Sequence, residues 1–244
     1  MQPFVSVLTP TYNRRQFIET AITCFKAQTY PMDRMEWLIL DDGTDKVRDL
    51  FEASGLPNIR YIALPEGEKH KIGAKRNRLN AEAKGEICVC WDDDDYYPPD
   101  RVRTAVTRLR SMLKQGIQVV GSSELILYFT DRREFWSIGP FAQNHCTNGT
   151  MAYWTVYGKT HQYDETVDKA EEASFMDGWK TRVYQLVPRD TMLVICHAAN
   201  THDKRTLFDK MGSNPTFRKV ESKMQNIVKN KKIRDFYASL SLQG

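Results

Sequence analysis

The run EICVCWDDDDYYPPDRV (86–102) decides how this chain folds. Its first part, Glu86–Trp91, is an apolar stretch of strand length that ends in a polar cluster. Cys88 and Cys90 share one face of that strand and read as small core residues. Its second part opens a helix predicted over Pro99–Lys114, with proline accepted in the first turn, where the backbone N–H has no helical partner. Strand, acidic turn and helix together are one unit of an α/β chain.

The same unit repeats upstream. Strands are predicted at Phe4–Thr9, Glu36–Leu40 and Ile59–Leu64. Helices are predicted at Arg15–Gln28, Asp45–Ala53 and Gly73–Ala83; the first has apolar residues at 17, 18, 21, 22 and 25. This alternation gives an α/β fold, Rossmann-like, with a mostly parallel sheet and helices on both faces. Downstream the pattern changes. Gln118–Thr130 and Arg133–Ile138 read as antiparallel strands, and Gly139–Met151 as loop. A helix near Asp168–Arg182, strands at Val183–Val187 and Met192–His197, and a basic helix over Lys219–Leu240 follow. A single domain with a small antiparallel extension and a C-terminal basic helix is expected.

The chain has 244 residues, 41% hydrophobic and 27% charged, which is enough apolar mass for one full core and excludes disorder as the main state. No apolar run reaches the roughly 18–20 residues of a membrane span. Phe4–Leu8 is too short for a signal-peptide core, so a soluble, cytoplasmic protein is expected. The five cysteines form no CxxC pair, which fits a reducing compartment. Net charge is +4, but Arg218–Arg234 holds seven Lys/Arg against one Glu, so the body is slightly acidic. A nucleic-acid-binding body carries its basic charge itself, and that class is excluded.

Ligands of open α/β sheets bind beyond the carboxyl ends of the strands. Three polar clusters fall there: Thr9-Pro10-Thr11-Tyr12-Asn13, Asp41-Asp42-Gly43-Thr44 and Asp92-Asp93-Asp94-Asp95. The chain lacks both GxxxxGK[ST] and a GxGxxG after the first strand, so glycine-loop amides do not cradle a phosphate there. Four aspartates in a row call for a cation, since two unit charges about 4 Å apart repel by about 4 kcal/mol at an effective dielectric of 20. Oxygen ligands at a strand end suit Mg²⁺ or Mn²⁺ with phosphate oxygens and water. The basic stretch Lys69–Arg78 offers cationic partners for a diphosphate, or is a solvated helix start.

Together the pieces VSVLTPTYNR (5–14), LILDDGTD (38–45), GAKRN (73–77) and CWDDDDYYPPDRV (90–102) resemble the family 2 glycosyltransferases of the glycosyltransferase-A fold. The resemblance covers about the first 110 residues and implies a nucleotide-sugar donor, with a UDP-sugar favoured. It divides the chain into a catalytic domain, 1–216, and a helical tail, 217–244; residues 1–115 are the nucleotide-binding half and 116–216 the acceptor half. It places Thr9, Pro10, Tyr12, Asp42, Arg76 and Asn77 at the nucleotide, with Asp42 on the base. Asp92 or Asp93 would touch ribose, Asp94 would bind the metal, and Asp95 would lie near the donor sugar.

In the second half, Glu171-Glu172 stands where the family has a Glu-Asp pair, which makes Glu172 the expected base, with Glu171 and Asp168 as alternatives. The H-x-x-N of His197–Asn200 implies His197 as a further metal ligand, with His202 as the alternative. Acids in the first turn of a helix are also favoured by its dipole. The activity implied is metal-dependent, inverting sugar transfer to a hydroxyl of a glycan, a lipid or another acceptor. The alternatives are a sugar-nucleotide nucleotidyltransferase and a non-catalytic sugar- or membrane-binding module. The basic tail either lies on anionic lipid, as a peripheral membrane contact through 217–244, or packs its apolar face on the domain.

Overall fold

A computed structural model describes residues 2–167, 170–200, 203–210 and 215–240. Strands β1 (Val5–Thr11), β2 (Met35–Asp41), β3 (Ile59–Ala63) and β4 (Ile87–Cys90) lie in parallel in the order β3-β2-β1-β4. Helices α1 (Arg15–Lys26), α2 (Arg48–Ala53), α3 (Ile72–Glu82) and α4 (Arg101–Met112) follow them in turn. Every residue of β1, β2 and β4 is buried, as expected of parallel strands covered on both faces. Alternate side chains feed two separate cores. Val5, Val7, Trp37, Ile39 and Val89 enter one, and Leu8, Leu38, Leu40, Cys88 and Cys90 the other.

The sheet continues through β5 (Val119–Gly121), β8 (Ala152–Trp154) and β9 (Val183–Gln185), with β8 antiparallel to both β4 and β5. A second sheet holds β6 (Leu125–Phe129), β7 (Glu134–Ile138), β10 (Leu193–Cys196) and β11 (Arg218–Val220) in the order β10-β6-β7-β11. The remaining helices are α5 (Thr155–Thr160), α6 (Glu172–Phe175), α7 (Met224–Ile227) and α8 (Lys231–Ser239). Tyr96 and Leu193 exchange backbone hydrogen bonds of 3.1 and 2.8 Å, which ties the segment after β4 to the second sheet.

The first half matches the sequence reading, whereas the second departs from it in three places. The expected strand Gln118–Thr130 is split between two sheets. The Ser122 hydroxyl donates to Glu124 O at 2.7 Å and turns the chain between β5 and β6. The expected helix Asp168–Arg182 is reduced to the single turn α6, because Asp177, Gly178 and Trp179 all adopt positive φ and stop it; residues 168–169 lie outside the described residues. The expected helix Lys219–Leu240 is a strand followed by two short helices. Arg218–Val220 pairs with β7, and Asn230 caps α8 by accepting from Ile233 N at 3.3 Å. The apolar side chains of the tail turn inward: Val228, Ile233, Tyr237 and Leu240 are buried. Phe236 meets Phe17 of α1 edge-on at 5.8 Å.

Candidate active site

Register brings the polar clusters together. Thr11 lies opposite Asp41 across β1 and β2, and Leu8 opposite Cys90 across β1 and β4. The segments after these three strands therefore leave the sheet at one edge. Tyr12 is half-buried there, with Lys69 Nζ 4.3 Å and Lys75 Nζ 5.8 Å from its ring centroid. Asp42 sits beside it. One carboxylate oxygen accepts from Lys75 Nζ at 2.7 Å and the other from His70 N at 3.0 Å. Asp41 turns inward instead and holds the turn through Gly43 N at 2.8 Å and Val47 N at 3.2 Å.

Thr9 does not face this edge. Its hydroxyl accepts from Trp37 Nε1 at 2.9 Å inside the core. Pro10 is buried within β1, in register with Leu40. Thr11 faces the acidic run instead, and its hydroxyl donates to the Asp93 carboxylate.

The four aspartates have four different environments. Asp92 is the most open, with 28% of its side chain exposed, and faces Arg76 at 3.6 Å. Burial, against the pull of Arg76, raises its pKa. Asp93 is buried between Thr11 and Arg14, and burial with the neighbouring Asp94 charge lifts its pKa to about 8. Asp94 lies 3.7 Å from Arg14 Nη2 and 3.4 Å from His197 Nε2. Burial opposes its charge, but His197 and Arg14 outweigh burial and lower its pKa. Asp95 is bonded to the second sheet. It accepts from Ile195 N at 2.8 Å, is buried at the joint between the sheets, and burial raises its pKa. The residue expected beside a donor sugar thus anchors β10 through one carboxylate oxygen.

Asp94 and His197 form the pair whose chemistry fits Mn²⁺ or Mg²⁺. The Asn200 side chain fixes the geometry: Oδ1 accepts from His197 N at 2.8 Å, which turns Nδ2 toward His197 Nε2 at 3.0 Å. His197 Nε2 thereby stands between Asn200 Nδ2 at 3.0 Å and the Asp94 carboxylate at 3.4 Å. Phe17 stacks on the imidazole at 4.5 Å. A carboxylate oxygen and an imidazole nitrogen 3.4 Å apart suit two adjacent ligands of one ion with bonds of about 2.1 Å. Among the described residues no three His, Cys, Asp or Glu side chains converge as a complete cage. The fit is therefore to an ion whose shell a ligand and water complete. His202 lies outside the described residues.

Arg76 joins the two halves. Its guanidinium donates to Glu171 at 3.1 Å and faces Asp92 at 3.6 Å. Burial opposes its charge, yet the two carboxylates outweigh burial and raise its pKa. Asn77, expected at the nucleotide, is used structurally. Its amide donates to Tyr163 O and Glu165 and accepts from Tyr163 N, at 2.8–2.9 Å, pinning that loop to α3. Gly73 permits the same contact, since a Cβ there would lie 2.1 Å from Asp164 O.

Glu172 starts α6 and accepts from Asn148 N at 3.2 Å. Burial and the charge of Glu171 raise its pKa, against Arg76. Asn148 also donates to Tyr163 Oη at 2.7 Å. Its neighbour Gly149 abuts the acidic run: a Cβ there would come 2.6 Å from Asp92. Asp168 lies outside the described residues. Sequence reasoning missed Thr11, Arg14 and Asn200 as site residues, although all three lie in quoted motifs, and it left Lys75 inside a general basic stretch.

Residues 6–152 match Glycosyl transferase family 2, more than half of the chain, and the protein belongs to that family. It is 33% identical over 99 residues to the putative glycosyltransferase EpsH of Bacillus subtilis, a match covering 40% of this chain and 28% of EpsH. Matches to the first curated relatives span only 28–40% of their lengths. The fold is similar to that of Staphylococcus aureus TarS 1–349 in complex with UDP-GlcNAc, with TM-score 0.62, 19% identity, and 81% of this chain and 60% of that one covered. It is also similar to the mannosyltransferase PcManGT of Pyrobaculum calidifontis in complex with GDP-Man and Mn²⁺, with TM-score 0.61, 18% identity, and 98% and 70% covered. The fold is thus that of the glycosyltransferase-A enzymes, as the sequence implied. No helix among the described residues is long and apolar enough to cross a membrane.

Proposed function

We propose that the protein transfers a sugar from a nucleoside diphosphate donor, a UDP-sugar in the first instance, to an acceptor hydroxyl with inversion. The observation that carries this reading is the Arg76 bridge, which places the acidic run and the Glu171-Glu172 pair in one charge network. The relatives support the donor class: structures of the same fold hold UDP-GlcNAc or GDP-Man.

Tyr12 and Asp42 would hold the base, and Asp92 the ribose. Asp94 and His197 would hold Mn²⁺ or Mg²⁺, which when bound supplies positive charge to the leaving diphosphate. Arg14 keeps Asp94 ionised and in place. Glu172 accepts the acceptor's proton as its oxygen bonds to the anomeric carbon and the bond to the diphosphate breaks. A raised carboxylate pKa suits that role, because a base is most effective when its pKa lies near the working pH. Glu171 is committed to Arg76, which leaves Glu172 the freer carboxylate. The acceptor is a hydroxyl of a glycan, a lipid or a similar molecule that reaches the Asn148–Thr150 loop.

The test is donor turnover across UDP-, GDP- and TDP-sugars with Mn²⁺, Mg²⁺ or EDTA, with and without a hydroxyl acceptor panel. Metal-dependent release of one nucleoside diphosphate is expected. Metal-independent release, or failure of every nucleotide to bind with metal present, contradicts the reading.

A further inference from the structure

The sheet edge that carries the acidic run extends beyond it. The strand order there is β4-β8-β5-β9, and β8 is antiparallel to both β4 and β5. β5 therefore runs with β4, and β9 is parallel to β5. The carboxyl ends of β5 and β9 thus open on the edge that holds Asp92. At about 4.8 Å per strand they lie about 10 and about 15 Å along it from β4. A cavity of about 330 Å³ sits at these ends. Ser123 and Glu124 after β5, Leu186 and Pro188 after β9, and Pro140 and Ala142 wall it. The Asn148–Thr150 loop stands between the cavity and the acidic run. Gly149 abuts Asp92, and Thr150 Oγ1 accepts from Ser122 N at 2.9 Å.

The lining is mixed in character. Two large hydrophobic residues exposed among the described residues, Phe141 at 48% and Val187 at 59%, stand within its segments. The Phe141 ring is held in spite of its exposure. It meets His145 at 4.9 Å, and His145 meets Trp179 at 4.5 Å. Polar groups remain available beside it. Ser123 Oγ accepts from Phe141 N at 2.8 Å and Ala142 N at 3.2 Å, so its O–H is left to donate. Glu124 meets Arg218 Nη2 at 3.5 Å through one oxygen, which leaves most of its roughly four acceptor sites.

We propose that this cavity is a distal acceptor subsite, holding a further sugar unit of a glycan chain whose reacting end lies at Glu172. The proposal rests on the sugar-transfer reading above and names its acceptor class. A sugar ring has C–H faces for Phe141 and the prolines. Its hydroxyls both donate and accept, which matches Glu124 and Ser123. A lipid tail would leave both polar groups without partners. A polyanionic chain would meet the Glu124 charge. The spacing selects a chain, because a single sugar at the Asn148–Thr150 loop does not reach past β5.

The experiment is transfer kinetics with Mn²⁺ and the UDP-sugar that supports turnover. The acceptors are glucose, galactose, mannose and N-acetylglucosamine with their matching di-, tri- and tetrasaccharides. The proteins are wild type, Phe141→Ala and Ala142→Trp, the last of which fills the cavity. Both sites are exposed, so neither change enters the core, and thermal melting checks the fold. The wild-type KM for a trisaccharide is expected at least about 10-fold below that for its monosaccharide. Either substitution brings this ratio to within about twofold. It does so by raising the trisaccharide KM with kcat unchanged, as loss of binding shared by ground and transition states does. A wild-type KM independent of chain length overturns the proposal, and so does an unchanged ratio in either variant. If Phe141→Ala keeps the ratio but turns a dimer into a monomer in sedimentation, the patch belongs to a second copy of the chain. Donor hydrolysis with transfer to no sugar of the series also overturns it. The donor reading survives each of these results, because the donor still binds. No binding of any nucleotide by the folded wild type overturns the sugar-transfer reading and this proposal with it.

Discussion

The two halves of the site, to which the proposed function gives the donor side and the acceptor side, are built differently. On the donor side, β1 and β2 are seven-residue strands buried on both faces, and the polar clusters follow directly from their ends. On the acceptor side, β5, β8 and β9 have three residues each, and α6 has a single turn. Long strands fix where a following side chain emerges, and short ones leave that to turns and hydrogen bonds. Backbone conformation shows the same contrast. In the first half the described positive-φ residues other than glycine are Asn13 and Asn58, a residue type that tolerates the left-handed region. In the second half they are Asp177, which tolerates it likewise, and Arg133, Ala170 and Trp179, which do so at a cost of about 1–3 kcal/mol each. Ala170 and Trp179 put such strain on either side of α6, whereas the segments around β1 and β2 hold little.

The sharpest way to break this comparison is to separate the two halves functionally. Glu172→Gln lowers the turnover number by about 10²–10⁴-fold and leaves UDP affinity within about twofold of wild type. A parallel loss of UDP binding would place Glu172 on the donor side. Removal of a whole buried ring tests how far the tail belongs to the donor side. Tyr237 is 1% exposed, and Tyr237→Ala lowers unfolding free energy by about 3 kcal/mol in urea titrations. A loss below about 0.5 kcal/mol would make the tail an appendage.

The link between the halves is testable by pH. Burial and Glu171 raise the Glu172 pKa, so activity falls as pH drops through that raised value. Glu171→Gln removes a negative neighbour and frees Arg76 to act on Glu172. Both effects lower the Glu172 pKa, so the acid limb of the turnover–pH profile moves to lower pH. A limb that stays put or moves up contradicts Glu172 as the titrating base. The smallest effect is at the surface. Lys219 meets Glu134 at 2.6 Å across β11 and β7, but about half of the lysine side chain is exposed. Lys219→Ala costs about 1 kcal/mol or less by chemical denaturation, and a larger loss would show that β11 is held by this ion pair and not by its strand pairing.

Where the sequence was legible follows the same division. Continuous apolar runs located β1, β2 and β4 because both faces of each are buried, and the motifs at their ends came with them. Side-chain parity turns Thr9 away from the edge, and contacts with distant segments take up Asp95 and Asn77. Thr9 shares the face of Val5 and Val7, so period two already pointed it into the core, to Trp37. Asp95 is the fourth aspartate of a row that reads as uniform. Its partner is the backbone of Ile195, 100 residues away in sequence, and no local pattern encodes that contact. Lys75 and Asp42 are 33 residues apart and meet only because β2 ends beside α3. The acceptor side was less legible still. Turn-forming side chains such as Ser122, and the left-handed run Asp177–Trp179, break up segments whose composition suits longer strands and helices.

The most direct test of the central claim is a crystal structure of the protein with UDP and Mn²⁺, with anomalous data recorded for manganese. The account predicts an anomalous peak at coordination distance from Asp94, about 2.1 Å, with the diphosphate beside it and uracil on Tyr12 against Asp42. A nucleotide bound elsewhere, or a manganese peak that does not touch Asp94, would contradict it.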